Sequence, residues 1–245
     1  MKDIKIGLIG AGWMGKAHTN AFKNAVMLFG EGNGKPIFEF VADVNTKMAE
    51  NAQKQLGYNR WTDNWKKVVT DDNVDLVDIA TPNVFHYEVA KEALLNGKHV
   101  YCEKPLTLTP EQSKELADLA KEKGVVNFVG FNNVHNPATS YIKELVVEGK
   151  LGEIVRFTGT YDQDALNDKN LPITWRHLRK FAGSGALGDL GSHLLSVAQY
   201  IMGDIVRVNA ISKTVFDKRP NSENLNELIE VENEDLMLNV NYGRI

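Results

Sequence analysis

Cysteine is nearly absent: Cys102 is the only one in 245 residues. One thiol cannot close an intrachain disulfide, which fits a reducing compartment, and the expected location is the cytoplasm. The opening run Ile4–Ile9 breaks into glycines, too short for a signal peptide. No apolar run is long enough to span a bilayer, so a membrane partner is not expected. An excess of one charge is also missing. The net charge is −4, with no basic stripe, and nucleic acid is not an expected partner. Internal repeats, low-complexity tracts and long linkers are absent, and no metal site is expected. What is present, 43% hydrophobic and 24% charged residues, describes a globular chain with enough material for more than one domain.

The first half alternates strand-like and helix-like segments. Ile4–Ile9 is a short β-branched run that predicts a buried strand, and Trp13–Phe29 predicts a helix. Phe38–Ala42, Val74–Ala80, Lys98–Cys102 and Val125–Phe131 read as further strands. Helices are predicted over Thr46–Leu56, stopping at Gly57, and over Asn83–Asn96, stopping at Gly97. Thr109-Pro-Glu-Gln112 is a capping box with proline at the first helical position, and its helix stops at Gly124. Gly30–Pro36 reads as a surface insertion. Single alternation of this kind predicts parallel strands with crossover helices, a doubly wound α/β sheet that binds ligands at its strand C-termini. Past Phe131 the rhythm changes. A helix over Ala138–Glu148, a strand over Glu153–Tyr161, a helix over Asp189–Met202 and strands over Ile205–Phe216 and Asp235–Tyr242 predict an α+β domain with a mostly antiparallel open sheet. The expected division is 1–130 and 131–245.

Gly10-Ala-Gly12-Trp13-Met14-Gly15 is a G-x-G-x-x-G between a predicted strand and a predicted helix, the context that gives this motif meaning. Gly10 permits the tight turn, Gly12 lets backbone approach a pyrophosphate, and Gly15 lets the helix pack close to the sheet. The amides of Trp13 and Met14 sit at a helix N-terminus, suited to phosphate. Asp43 ends the second strand, where a carboxylate accepts hydrogen bonds from a ribose. It lies 28 residues past Gly15, farther than the usual ~20, and the Gly30–Pro36 insertion accounts for the excess. No arginine follows it, so NAD is favoured over NADP. Thr81, Pro82 and Asn83 follow a strand end and suit either cofactor contact or a plain proline turn that starts a helix. His86 is either a helix-face or a pocket residue.

Four segments together carry a pattern: Gly10–Gly15 with His18, Thr81–His86, Glu103-Lys104-Pro105-Leu106, and Gly183–His193. In this order the chain resembles the glucose–fructose oxidoreductase, inositol dehydrogenase and rhizopine-catabolism (Gfo/Idh/MocA) oxidoreductase family. Tyr161–Asp164, Trp175-Arg176 and Gly183–Ser196 are most similar to members that act on cyclitols, anhydrosugars and hexoses. The resemblance implies an N-terminal Rossmann domain that binds NAD, with Glu103 and Lys104 at the cofactor pocket. It implies a substrate domain whose sheet also makes homo-oligomer contacts. It maps Lys104, Asp189 and His193 onto the family's catalytic set, and Asn132, Tyr161, Trp175, Arg176 and His177 onto sugar-binding positions. The implied activity is hydride transfer between a secondary hydroxyl of a sugar, anhydrosugar or cyclitol and nicotinamide.

Residue chemistry supports the same roles. Asp189 and His193 are i and i+4 on one predicted helix. A histidine with an ordinary pKa near ~6.5 can take a hydroxyl proton near neutral pH, and Asp189 can bind substrate or set the histidine. Lys104 at a strand end can stabilise a developing alkoxide. Trp175 serves equally as core or interface, and Arg176 equally as partner to a structural carboxylate.

Two positions depart from the family pattern. Many relatives carry aspartate where this chain has Ser196, and arginine where it reads Asn132-Asn133-Val134-His135. Family chains also run beyond the equivalent of Ile245, so the second sheet is expected to be incomplete and these residues alone less soluble and less active than a longer form. Two other functions use the same framework. An NAD-dependent glycoside hydrolase would oxidise transiently and show no net NADH. A non-catalytic NAD- or sugar-sensing regulator would not need a proton-transfer set.

Overall fold

The structure is a computed structural model that describes residues 3–30 and 34–238. It divides into two compact units, 1–130 and 131–245.

The first unit is a six-stranded parallel sheet. Its strands are β1 (Asp3–Ile9), β2 (Lys35–Ala42), β3 (Arg60–Thr62), β4 (Leu76–Ile79), β5 (His99–Cys102) and β6 (Asn127–Val129). They lie in the order β3-β2-β1-β4-β5-β6, all parallel. The direction of winding reverses between β1 and β4, and a crevice at the C-terminal ends of those strands is where such sheets take ligands. Helices α1 (Trp13–Phe29), α2 (Thr46–Leu56), α3 (Lys66–Val69), α4 (His86–Leu95) and α5 (Pro110–Lys123) form the crossovers. Val77, Ile79, Val100 and Cys102 pack with Val89, Ala93 and Leu116 in a fully apolar core, as strands covered on both faces require.

Local chemistry sets the helix ends. Asn45 caps α2 by accepting from the Met48 amide at 3.1 Å, and Thr109 caps α5 by accepting from the Gln112 amide at 3.3 Å. Gly57 and Gly124 end these helices in the left-handed conformation. Within this unit two elements were not foreseen. β3 and α3 span three and four residues, too short to show a period. β3 is held at the sheet edge by Arg60, which bridges Glu39 at 2.8 Å and Asp71 at 2.7 Å. The helix predicted over Asn83–Asn96 begins as a 3-10 turn, Asn83–Phe85, before α4.

The second unit contains α6 (Pro137–Val147), α7 (Arg179–Ala182) and α8 (Ser192–Met202), with 3-10 turns at Asn132–His135 and Trp175–His177. The antiparallel pairing expected here takes the form of two two-stranded sheets: β7 (Ile211–Lys213) with β10 (Leu236–Leu238), and β8 (Lys218–Pro220) with β9 (Leu228–Glu230). Glu153–Tyr161 is not a strand: it makes no ladder among the described residues, and Val155 is 97% exposed. Its alternation marks which side chains face inward, but a strand exists only through hydrogen bonds to a neighbour. Ile205–Phe216 likewise shrinks to β7, and the part of Asp235–Tyr242 beyond Leu238 lies outside the described residues. The fully buried Arg219 donates to the carbonyls of Leu166 and Asp168, which pins the loop before the 3-10 turn.

Candidate active site

The glycine loop of the first unit is built as the motif requires. Gly10 has φ +99°, and a Cβ there would lie 2.6 Å from the Ala80 carbonyl oxygen. A Cβ on Gly15 would lie 2.2 Å from the Gly10 carbonyl oxygen. These two glycines are demanded by the fold. Gly12 differs: a Cβ there would meet nothing within 4 Å. No protein atom fills the space in front of it, which is where the loop would receive a pyrophosphate.

Gly12 is also the residue before α1, and no side chain caps that helix. The amides of its first turn, including those of Trp13 and Met14, have no intrahelical acceptor and remain available to an anion. Trp13 itself is 80% exposed. The Asp43 carboxylate accepts from the Ala11 amide and the Asn45 amide, each at 2.9 Å. It is thereby fixed at the end of β2 beside the glycine loop. Glycine cradle, uncapped helix and anchored carboxylate together fit a dinucleotide.

Thr81 follows β4, and its buried hydroxyl has no hydrogen-bond partner among the described residues. His86 resolves to the interior: it is fully buried, with Nδ1 2.8 Å from the Pro105 carbonyl oxygen and Nε2 2.9 Å from that of Thr81. Two carbonyl partners ask for a proton on each nitrogen, while burial disfavours the charged ring and lowers its pKa. His86 therefore braces the Thr81 and Lys104-Pro105 loops from behind and offers no surface to a cofactor. Asn83 is also buried. Glu103, expected at the cofactor pocket, turns inward too. One oxygen is 3.1 Å from His18 Nε2 and the other accepts the Lys104 amide at 3.1 Å.

Sequence reasoning missed the group behind this loop. His18 Nδ1 lies 2.8 Å from Asp78 Oδ1, and Asp78 is fully buried. The available signal was an acidic residue inside the apolar run Leu76-Val77-Asp78-Ile79, which is costly to bury without a partner. A cavity of about 220 Å³ between α1, β1 and β2 is lined by Ile4, Ile6, Phe22 and Phe29 among others. It lies at the opposite ends of the strands from the glycine loop and has no polar side chain in its lining, so it is not the chemical site.

In the second unit, a π-helical turn over Leu187–Gly191 runs directly into α8. The helix predicted from Asp189 thus starts with a wide turn, a feature common at functional sites. Glu234 secures it: one carboxylate oxygen accepts the amides of Gly185 at 2.9 Å and Leu187 at 3.0 Å. A Cβ on Gly185 would lie 2.0 Å from the Glu234 carbonyl oxygen, which explains a glycine there. Asp189 pairs with Arg176 at 3.3 Å, and the Arg176 guanidinium also lies 4.4 Å from the Trp175 ring centre. His193 is buried between aromatic rings. Tyr161 stacks on it at 5.6 Å with 14° between planes, and Phe131 meets it edge-on at 6.1 Å. Asn132 lies exposed in the 3-10 turn. His177 is 3% exposed, and its Nδ1 accepts the Thr174 amide at 2.9 Å.

Comparison with known proteins shows the family of both units. Residues 4–131 match the family model described as "Oxidoreductase family, NAD-binding Rossmann fold", and residues 139–241 match the "GFO/IDH/MocA C-terminal domain". The chain is 40% identical over 220 residues to levoglucosan dehydrogenase of Pseudarthrobacter phenanthrenivorans, covering 90% of this chain and 56% of that protein. A structure of levoglucosan dehydrogenase in complex with NADH and L-sorbose superimposes with a TM-score of 0.93 at 38% identity, over 96% of this chain and 62% of the other. An NAD-binding oxidoreductase from Klebsiella pneumoniae gives a TM-score of 0.89 at 44% identity, over 98% and 64%. The chain thus spans under two thirds of the length of these relatives.

Proposed function

The chain belongs to the GFO/IDH/MocA oxidoreductase family, its first unit being the NAD-binding Rossmann domain, and from that premise we propose that it oxidises a secondary hydroxyl of a sugar, anhydrosugar or cyclitol, or runs the reverse reduction. The single observation that carries the cofactor half is the empty space in front of Gly12 beside the anchored Asp43 carboxylate. NAD, when bound, supplies the hydride acceptor.

The remaining roles fall to this chain's own residues. The amides of Trp13 and Met14 hold the pyrophosphate, and the Asp43 carboxylate accepts from the adenosine ribose and repels a 2′-phosphate. Lys104, held through its backbone by Glu103, hydrogen-bonds the reacting oxygen and stabilises the charge that grows on it. His193 takes the hydroxyl proton. Its cage of Tyr161 and Phe131 fixes the ring plane, so the proton acceptor does not swing. Asp189, held by its pairing with Arg176, accepts a hydrogen bond from a substrate hydroxyl. Trp175, Tyr161 and Asn132 supply the stacking and polar contacts that sugars favour. The apolar side chains of Val206, Val208 and Ile211 are exposed and suit contact between copies.

The test is a panel of hexoses, anhydrosugars and inositols, assayed for NADH by its absorbance. Turnover is expected with at least one, reduced at least about a hundredfold in Lys104→Ala and His193→Ala, the ordinary contribution of positioned acid–base groups. Release of a leaving group without net NADH would instead identify the hydrolase. Turnover unaffected by either substitution would refute the assignment.

A further inference from the structure

Of the buried trio behind the Lys104 loop, only Glu103 enters the chemistry above; His18 and Asp78 have no part in it. His18 lies on α1, one turn past Gly15. Its two ring nitrogens face carboxylate oxygens on two other elements, Asp78 Oδ1 at 2.8 Å on β4 and Glu103 Oε1 at 3.1 Å just past β5. An ionised carboxylate only accepts hydrogen bonds, so a ring that serves both carries a proton on each nitrogen. The second oxygen of Glu103 accepts the Lys104 amide at 3.1 Å. Gly130 leaves room for this carboxylate: a Cβ there would lie 2.8 Å from Oε1. Tyr101 meets the His18 ring edge-on at 5.0 Å and stacks on Phe128 at 5.4 Å, which fixes the plane of the imidazole.

We propose that His18 is a positioning residue: its doubly protonated ring ties the helix of the glycine loop to Glu103 and through it fixes the backbone from which Lys104 projects. This rests on the reading of Lys104 as the group that hydrogen-bonds the reacting oxygen. The surroundings are consistent with it. Burial alone would lower the pKa of His18, but the hydrogen bonds and charges of Asp78 and Glu103 outweigh that and push it up to about 9. Asp78 is raised by its own burial and drawn back down by His18, so the two titrate as a pair. Burial pushes Tyr101 up to about 12, and raises Tyr58 and Cys102 as well. Those three stay neutral near pH 8, and His86, lowered by burial, is neutral there too.

The experiment compares the full chain with His18→Gln, whose amide cannot reach both carboxylates from one nitrogen. Two readouts need no turnover. Histidine ring ¹⁵N shifts at about pH 8, where an ordinary histidine is neutral, are expected to show both His18 nitrogens protonated. Hydrogen exchange of the Lys104 amide is expected to quicken at least about tenfold in the variant, as for loss of one charge-assisted hydrogen bond. In turnover, kcat is expected to fall by about the same factor, with NAD affinity within about twofold. The wild-type kcat should also decline above about pH 9, a decline missing from the variant. A neutral His18 ring at about pH 8, or unchanged Lys104 exchange in a folded variant, overturns the proposal. If His18→Gln does not fold, Glu103→Gln serves: it should let the His18 ring lose its second proton at lower pH, and an unmoved titration overturns the proposal. Wild-type chain that turns nothing over contradicts the reading of Lys104, while the ring shifts and amide exchange still decide the bridge.

Discussion

Adding one methyl to the glycine loop should separate folding from binding, depending on which glycine receives it. Gly12 has φ −70° and ψ −164°, a conformation open to alanine, and its Cβ would touch no protein atom. Alanine is a poorer N-cap than glycine, but it also reduces the freedom of the unfolded chain. These opposing terms leave a net change within about 1 kcal/mol. For a chain of this size that moves the melting temperature by no more than about 4 °C. The same methyl occupies the space into which a pyrophosphate must come, so NAD affinity should fall at least about tenfold, or ~1.4 kcal/mol. In Gly15→Ala the methyl meets a backbone oxygen at 2.2 Å, which no side-chain rotation relieves. Overpacking of this kind costs about 1–3 kcal/mol and should lower the melting temperature by about 3–10 °C. Thermal melts by circular dichroism and calorimetric titration with NAD measure both. The reasoning fails if Gly12→Ala melts as early as Gly15→Ala, or if it binds NAD like the parent.

Three further outcomes follow from particular contacts. The pKa of His18 is raised from an ordinary 6.5 to about 9, so its contribution to stability is complete below about pH 6.5 and is lost as pH rises through about 9. That amounts to about 3 kcal/mol; the urea midpoint should fall over this window in the parent and stay nearly flat in His18→Gln. Asp43→Ala removes the acceptor for the Ala11 and Asn45 amides; NAD should bind about tenfold more weakly and its advantage over NADP should shrink, as read by titration with each. Glu234→Ala strips the acceptor from the Gly185 and Leu187 amides and should destabilise the second unit by about 1–3 kcal/mol, seen as a lower denaturant midpoint.

The sequence made some of this legible because the relevant physics is local. A β-branched run, three spaced glycines and a helix lie consecutively in Ile4–Phe29, and each glycine's role follows from its place in that order. Thr109 and Asn45 announce helix starts for the same reason. Other features depend on contacts between distant segments. β3 and α3 are too short to carry a period. The alternation in Glu153–Tyr161 shows two faces but cannot show whether a neighbouring strand is there to bond. His18, Asp78 and Glu103 are each ordinary residues, and they meet only because the sheet order brings β4 and β5 beside α1. Position in the Thr81–His86 motif similarly could not tell a pocket histidine from one that braces two loops. The π turn before α8 leaves no periodic trace in a glycine-rich run.

The most direct test of the proposed chemistry follows the hydrogen itself. Sugars, anhydrosugars and inositols deuterated at their carbinol carbons would be incubated with the protein and NAD, and the reduced cofactor analysed by mass spectrometry. Direct transfer predicts NADH one deuterium heavier from the true substrate, and at least about a hundredfold less of it over the same time with Lys104→Ala. NADH formed without the label, or no reduced cofactor from any member of the panel despite NAD binding, would contradict the account.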